Sequence, residues 1–96
     1  MPTIDVYGYV IKESDSLYGA TVKLYKEGNY LSETTSDING FYLLNVCGHQ
    51  QGSGIYSVRA TKYIKGQLWW ASENFYWNEP EDMESFEIDL YFWDWK

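Results

Sequence analysis

Hydrophobic and polar residues alternate along this chain with a period of two, broken at intervals by clusters of Gly, Asn, Asp and Ser. A period of two sends successive side chains to opposite faces of an extended strand, whereas a helix repeats its apolar positions every three or four residues. Helical periodicity is absent, and the acidic stretch Asn78 to Glu84 has room for one turn after Pro80 at most. Seven strands fit the pattern. The first, Thr3 to Lys12, sets Ile4, Val6, Gly8 and Val10 on one face and Asp5, Tyr7, Tyr9 and Ile11 on the other. The second, Ala20 to Lys26, divides Ala20, Val22 and Leu24 from Thr21, Lys23 and Tyr25. The third runs from Tyr30 to Ser36. The fourth, Phe41 to Cys47, opposes Tyr42, Leu44 and Val46 to Phe41 and Leu43. The fifth, Ile55 to Lys62, opposes Tyr56, Val58 and Ala60 to Ile55, Ser57 and Arg59. The sixth runs from Gln67 to Tyr76. The seventh, Ser85 to Trp93, opposes Phe86, Ile88, Leu90 and Phe92 to Glu87, Asp89, Tyr91 and Trp93.

Turn chemistry separates these runs. Glu13 to Gly19 is a polar turn, Glu27-Gly28-Asn29 joins the second and third strands, and Gly48 to Gly54 is a loop. Asp37-Ile38-Asn39-Gly40 reads as a tight hairpin, with the Asp37 side chain bonding the backbone two residues on and Asn39-Gly40 taking the left-handed positions. Short strands at this spacing bury their apolar faces by pairing two sheets, because an open sheet would leave one apolar side in water. The expected fold is therefore all-β: a seven-stranded antiparallel β-sandwich with Greek-key connections, a single domain over 1–96.

Composition adds two facts. One-fifth of the residues are aromatic, with ten Tyr and five Trp, which suits a pleated surface. The net charge of −7 would repel a nucleic-acid backbone or an anionic membrane surface, so nucleic acid is excluded as a partner. No apolar run reaches the ~18 residues of a membrane helix, so no membrane insertion is expected. The start at Met1 shows no signal-peptide pattern. The lone cysteine, Cys47, precludes an intramolecular disulfide.

Val6-x-Gly8-x-Val10, Gly19-Ala20-x-Val22-x-Leu24, Asp37-x-x-Gly40-x-Tyr42-x-Leu44 and Gly54-x-Tyr56-x-Val58-x-Ala60 follow one another in order over nearly the whole chain. This set resembles the carboxypeptidase regulatory-like domain, which belongs with the prealbumin-like, Ig-like sandwiches and is similar to the Cna protein B-type repeats of bacterial surface proteins. The resemblance implies a scaffold. Gly8 would allow the facing sheet to approach closely, or mark a bulge, and a larger residue at Gly19 or Ala20 would collide. Many Cna-like repeats carry a Lys-to-Asn isopeptide bond between the first and last strands. Lys12 stands at the end of the first strand, but the last offers Asp89 and no Asn, so the bond is not carried over.

The chemistry-bearing residues are sparse. His49 is the one histidine, two residues from Cys47, with nothing further to complete a zinc site. The acids Glu79, Glu81, Asp82 and Glu84 read as a solvated connection that leaves calcium binding open. Asp37-x-Asn39-Gly40 lacks the spacing and the distal Glu of a calcium loop. No catalytic residues, metal or cofactor are assigned, and the chain is read as a non-enzyme.

The aromatic outer positions require explanation, since contiguous exposed apolar surface marks an interface. Tyr7, Tyr9, Tyr25, Phe41, Trp69, Tyr91, Trp93 and Trp95 are the candidate contact residues. The expected function is a structural subunit packing against copies of itself or a neighbouring structural protein, in a surface filament, a sheath or a virion decoration layer, extracellular or at a cell or virion surface. The tail Phe92-Trp93-Asp94-Trp95-Lys96 is expected to insert against a neighbouring subunit. The alternative is a carbohydrate-binding module or accessory domain, with Trp69, Trp70 and Trp77 stacking on a polysaccharide.

Overall fold

The computed structural model describes residues 3–47, 51–79 and 84–92. Its strands are β1 (Thr3–Lys12), β2 (Asp15–Ser16), β3 (Thr21–Lys26), β4 (Asn29–Thr35), β5 (Phe41–Cys47), β6 (Gly54–Ile64), β7 (Gln67–Trp77), β8 (Ser85–Glu87) and β9 (Leu90–Phe92). They form two sheets. In the first, β1 is central, flanked by β5 and the two-residue β2 in antiparallel pairing and by β8 and β9 in parallel pairing. The second is antiparallel, in the order β4-β3-β6-β7.

Alternation places Ile4, Val6, Val10, Val22, Leu24, Tyr42, Leu44, Tyr56, Val58, Ala60, Leu90 and Phe92 in the core between the sheets. Tight two-residue turns join neighbouring strands. Glu13-Ser14, Glu27-Gly28 and Lys65-Gly66 all have positive φ at both central residues, the backbone hand that matches strand twist. Because Lys65-Gly66 completes its turn in two residues, β6 runs two residues past the expected end at Lys62.

Three expectations of topology are corrected. Asp37 to Gly40 is not a hairpin, because β4 and β5 lie in different sheets; it is the corner at which the chain changes sheet. Its local chemistry is as expected at Asp37, whose Oδ1 accepts from the Asn39 N–H (2.9 Å) and the Phe41 N–H (3.0 Å). Of Asn39 and Gly40, only Gly40 has positive φ (79°). The last strand is parallel to β1, not antiparallel, since the chain crosses from β7 in one sheet to β8 in the other. It is also interrupted at Ile88 and Asp89, and Trp93, Asp94, Trp95 and Lys96 lie outside the described residues.

The interruption has a physical cause in Gly8. A Cβ there would lie 2.2 Å from the Ile88 carbonyl oxygen, so the last strand closes onto bare backbone. The close approach therefore comes from the neighbouring strand, not from the facing sheet. Partner register is unchanged across the break, Tyr7 opposite Glu87 and Val10 opposite Leu90. In the gap the Asp89 side chain takes over the ladder, accepting from the Tyr9 N–H at 3.0 Å. The buried Tyr42 hydroxyl donates to the Ile88 carbonyl at 2.5 Å.

A buried serine secures the approach to the corner where the chain changes sheet. Ser36 Oγ accepts from the Ala20 N–H (2.9 Å) and donates to the Leu17 carbonyl (2.7 Å), while its N–H donates to the Ala20 carbonyl (2.9 Å). One residue thus ties the start of β3 and the end of β4 to the chain arriving from β2.

Candidate functional site

Each sheet turns one face to the core and one to solvent, and the two outward faces differ. On the first sheet, odd-numbered residues of β1 point outward, opposite odd-numbered residues of β5: Tyr7 faces Leu43 and Tyr9 faces Phe41. The ring centroids of Tyr9 and Phe41 are 5.6 Å apart at 66°, and those of Tyr7 and Phe41 6.5 Å apart at 41°. On the other side of β1, Ile11 is paired with Tyr91. Leu43, Phe41, Tyr7, Tyr9, Ile11 and Tyr91 therefore make a continuous apolar strip across three strands. Leu43 and Tyr91 are about half exposed (53% and 46%), and Tyr9 nearly so (42%).

Polar residues occupy one end of that strip. Asp5 lies opposite Asn45, whose side-chain amide donates to it, and beside Ser85; Glu87 lies beside Tyr7. No basic residue stands on this face among the described residues.

The outer face of the second sheet is organised around a polar row. Glu33, Lys23, Arg59 and Ser72 lie side by side across β4, β3, β6 and β7. The next row, Tyr30, Tyr25, Ser57 and Asn74, holds an edge-to-face pair, Tyr25 and Tyr30 at 6.2 Å, and a hydrogen bond from Ser57 to Asn74. Tyr30 Oη donates to Glu33, and that bond to a carboxylate raises the phenol above its ordinary pKa. On the other side of the polar row, Thr21, Thr61 and Trp70 are aligned, and the Arg59 guanidinium lies over the Trp70 ring at 5.6 Å. Ile55 opposes Tyr76 at one end of this face and Tyr63 opposes Leu68 at the other. A shallow groove of about 250 Å³ runs between Tyr25, Gly28, Ser57, Arg59 and Ser72.

The candidate residues are thus sorted by geometry. Tyr7, Tyr9, Phe41 and Tyr91 converge on one face, as a common contact surface requires. Tyr25 belongs to the opposite face. Trp69 belongs to neither: it points inward from β7, packed on the edge of the core with the Lys12 ammonium 4.4 Å from its ring centroid. Trp93 and Trp95 lie outside the described residues.

The stacking trio does not form a platform. Trp69 and Trp70 are adjacent in a strand and face opposite ways, and Trp77, of the same parity as Trp69 and Ala71, is buried at 2% exposure. Trp70 alone presents its ring outward. Ala71, the small buried residue that follows Trp70, is the signal that fixes this parity. Leu43 and Ile55, which alternation already sets on outward faces, are exposed, as is Tyr76. Cross-strand register is what joins Leu43 to the first-sheet strip and sets Ile55 against Tyr76 on the second sheet.

Of the remaining groups, Cys47 is half-buried at the end of β5, and His49 and most of the acidic connection lie outside the described residues. No cluster of metal-ligating side chains occurs among the described residues. Lys12 pairs with Glu13 at 3.2 Å, far in role from the isopeptide lysine weighed above.

The architecture has counterparts among solved structures. The chain is similar to a 5-hydroxyisourate hydrolase from Klebsiella pneumoniae, at 16% identity over 94% of this chain and 90% of that one, with a TM-score of 0.66. It is similar to an alternative pilotin from the type II secretion system of Vibrio cholerae, at 17% identity over 94% and 96%, with a TM-score of 0.60. It also matches 16% of a 9R-lipoxygenase from Cyanothece PCC8801, at 9% identity over 97% of this chain, with a TM-score of 0.60. No protein-family model and no curated protein matches the sequence. At these identities the likeness is one of fold, a prealbumin-like β architecture in two sheets.

Proposed function

We propose that this chain is a non-catalytic structural subunit that packs through its aromatic outer faces, against copies of itself or a neighbouring structural protein, in a surface filament, a sheath or a virion decoration layer. The single observation behind it is the strip of Leu43, Phe41, Tyr7, Tyr9, Ile11 and Tyr91, which crosses three strands on a face that an isolated sandwich would clothe in polar residues. Burying such a strip against another surface releases roughly 25 cal/mol for each Å² of apolar area removed from water. The negative charge keeps unassembled subunits apart and soluble. Within the prealbumin-like architecture, we assign the chain to the carboxypeptidase regulatory-like group on its ordered glycine and strand motifs, and to the exterior of a cell or virion.

Light scattering on the purified chain over a concentration series, with negative-stain imaging of the same samples, tests this. Defined oligomers, sheets or filaments are expected. A monomer at every concentration overturns it and returns the weight to a glycan-binding surface centred on Trp70.

A further inference from the structure

The two outer faces carry charges of opposite tendency. That of the first sheet has Asp5 and Glu87 and no basic residue among the described ones; that of the second has Lys23 and Arg59 against Glu33. This contrast matters in a chain of net charge −7. Pairing two copies through their first-sheet faces would bring four carboxylates toward one apolar contact, and like charges facing each other at an interface are strongly unfavourable. Pairing a first-sheet face with a second-sheet face sets those acids toward the Lys23 and Arg59 row.

The second-sheet face also offers a recess to the aromatic strip of the first, a groove of about 250 Å³ lined by Tyr25, Gly28, Ser57, Arg59 and Ser72. The Arg59 guanidinium is held over Trp70 and so is pre-positioned at the groove wall. The molecule measures 42 × 24 × 17 Å, so a broad face spans about 1,000 Å² (42 × 24) against the ~800 Å² per partner of a stable interface.

Building on the assembly reading above, we infer that the occupant of each face is a second copy of this chain, bound head to tail: the first-sheet face of one copy seats on the second-sheet face of the next. Such a contact is heterologous. Each copy added leaves one unused face at each end, so the assembly grows as an open stack or closes as a ring. Arg59 and Lys23 receive the carboxylates of the neighbour's Asp5 and Glu87, and the Tyr9–Phe41 pair lies against the aromatic margin made by Tyr25 and Trp70.

The test uses two surface variants that each block one face. Tyr9→Glu charges the first-sheet face, with Leu43→Glu as its substitute should Tyr9→Glu fail to fold, and the double variant Lys23→Glu, Arg59→Glu reverses the second. Sedimentation velocity is run on wild type, each variant alone and an equimolar mixture, with circular dichroism confirming that each is folded. Each variant alone is expected to need at least about 30-fold higher concentration to associate, the size of an interface hot spot. The mixture is expected to form a 1:1 dimer that grows no further, because each partner contributes its one intact face. A second-sheet variant that assembles alone while the first-sheet variant does not would show face-to-like-face pairing and overturn the inference, leaving the assembly reading intact. A mixture that stays monomeric under conditions where wild type assembles overturns it too. A wild type that never associates fails the assembly reading itself.

Discussion

The outer face of the first sheet and that of the second are built by the same strand alternation, yet they have different characters. Both carry aromatics, and each holds a ring pair, Tyr9 with Phe41 on the first and Tyr25 with Tyr30 on the second. Only on the first does register extend the pair into a strip across three strands. On the second, Lys23, Arg59 and Ser72 keep Tyr25 and Tyr30 apart from Trp70. An exposed aromatic becomes part of a surface only through its cross-strand neighbours, so aromatic content alone does not locate an interface.

The contrast depends on the seam between β1 and the last strand, and the largest effect is expected where that seam is tightest. Gly8→Ala puts a methyl 2.2 Å from the Ile88 carbonyl oxygen, which belongs to backbone and has no rotamer to move. A loss of about 3 kcal/mol or more is expected in urea unfolding, and with it the first-sheet face, since Tyr91 is placed by that seam.

Ser36→Ala tests stability without touching either face. It leaves the Ala20 N–H and the Leu17 carbonyl without their buried partner, for a loss of about 2 kcal/mol in the same measurement. Association should be unchanged where the variant is folded.

Tyr42→Phe removes the hydroxyl that anchors Ile88, for about 1 kcal/mol at neutral pH. Burial, and secondarily the Asp89 carboxylate, push the Tyr42 pKa far above its ordinary 10. Above pH 10 the unfolded tyrosine releases its proton while the folded one keeps it, so stability falls as pH rises. The contribution of Tyr42 to that slope is at most about 1.4 kcal/mol per pH unit. The Phe variant is expected to show a shallower alkaline decline in thermal melts followed at pH 9, 10 and 11. Tyr56, raised by burial and by Glu79 and Glu27, supplies a remainder in both proteins.

The smallest effect belongs to Trp70→Ala. The ring is half exposed, and its contact with Arg59 is worth about 0.5–1 kcal/mol, so unfolding should change little while association weakens. A strong loss of stability with no change in association would reverse the roles given to the two tryptophans, Trp70 outward and Trp69 inward.

These differences show which parts of the molecule are legible in one sequence. Strand alternation gives nearly all strand positions and core residues, because the inward face of each strand is continuous from Ile4 to Val10 and from Tyr56 to Ala60. Gly8 is legible as a close approach, but not what approaches. The Asp37 turn is legible in its hydrogen bonds and not in its destination, since four residues that bend a chain do not say which sheet the next strand joins. The parallel last strand is set by a crossover whose length and composition resemble any loop. For the contact surface, Tyr7, Tyr9 and Ile11 share a face by sequence alone. Their union with Phe41, Leu43 and Tyr91 depends on register between strands more than 30 residues apart, and Trp69 was misplaced because parity along β7 is anchored by Ala71, not by the larger rings around it.

Hydroxyl-radical footprinting of dilute and concentrated protein, read by mass spectrometry at single residues, tests the central claim most directly. Protection that rises with concentration at Tyr9, Leu43 and Tyr91, with Tyr63 at the far end of the second sheet changing less, is the result predicted by assembly through the first-sheet face. Equal reactivity of those three residues at all concentrations where larger species are present would contradict it.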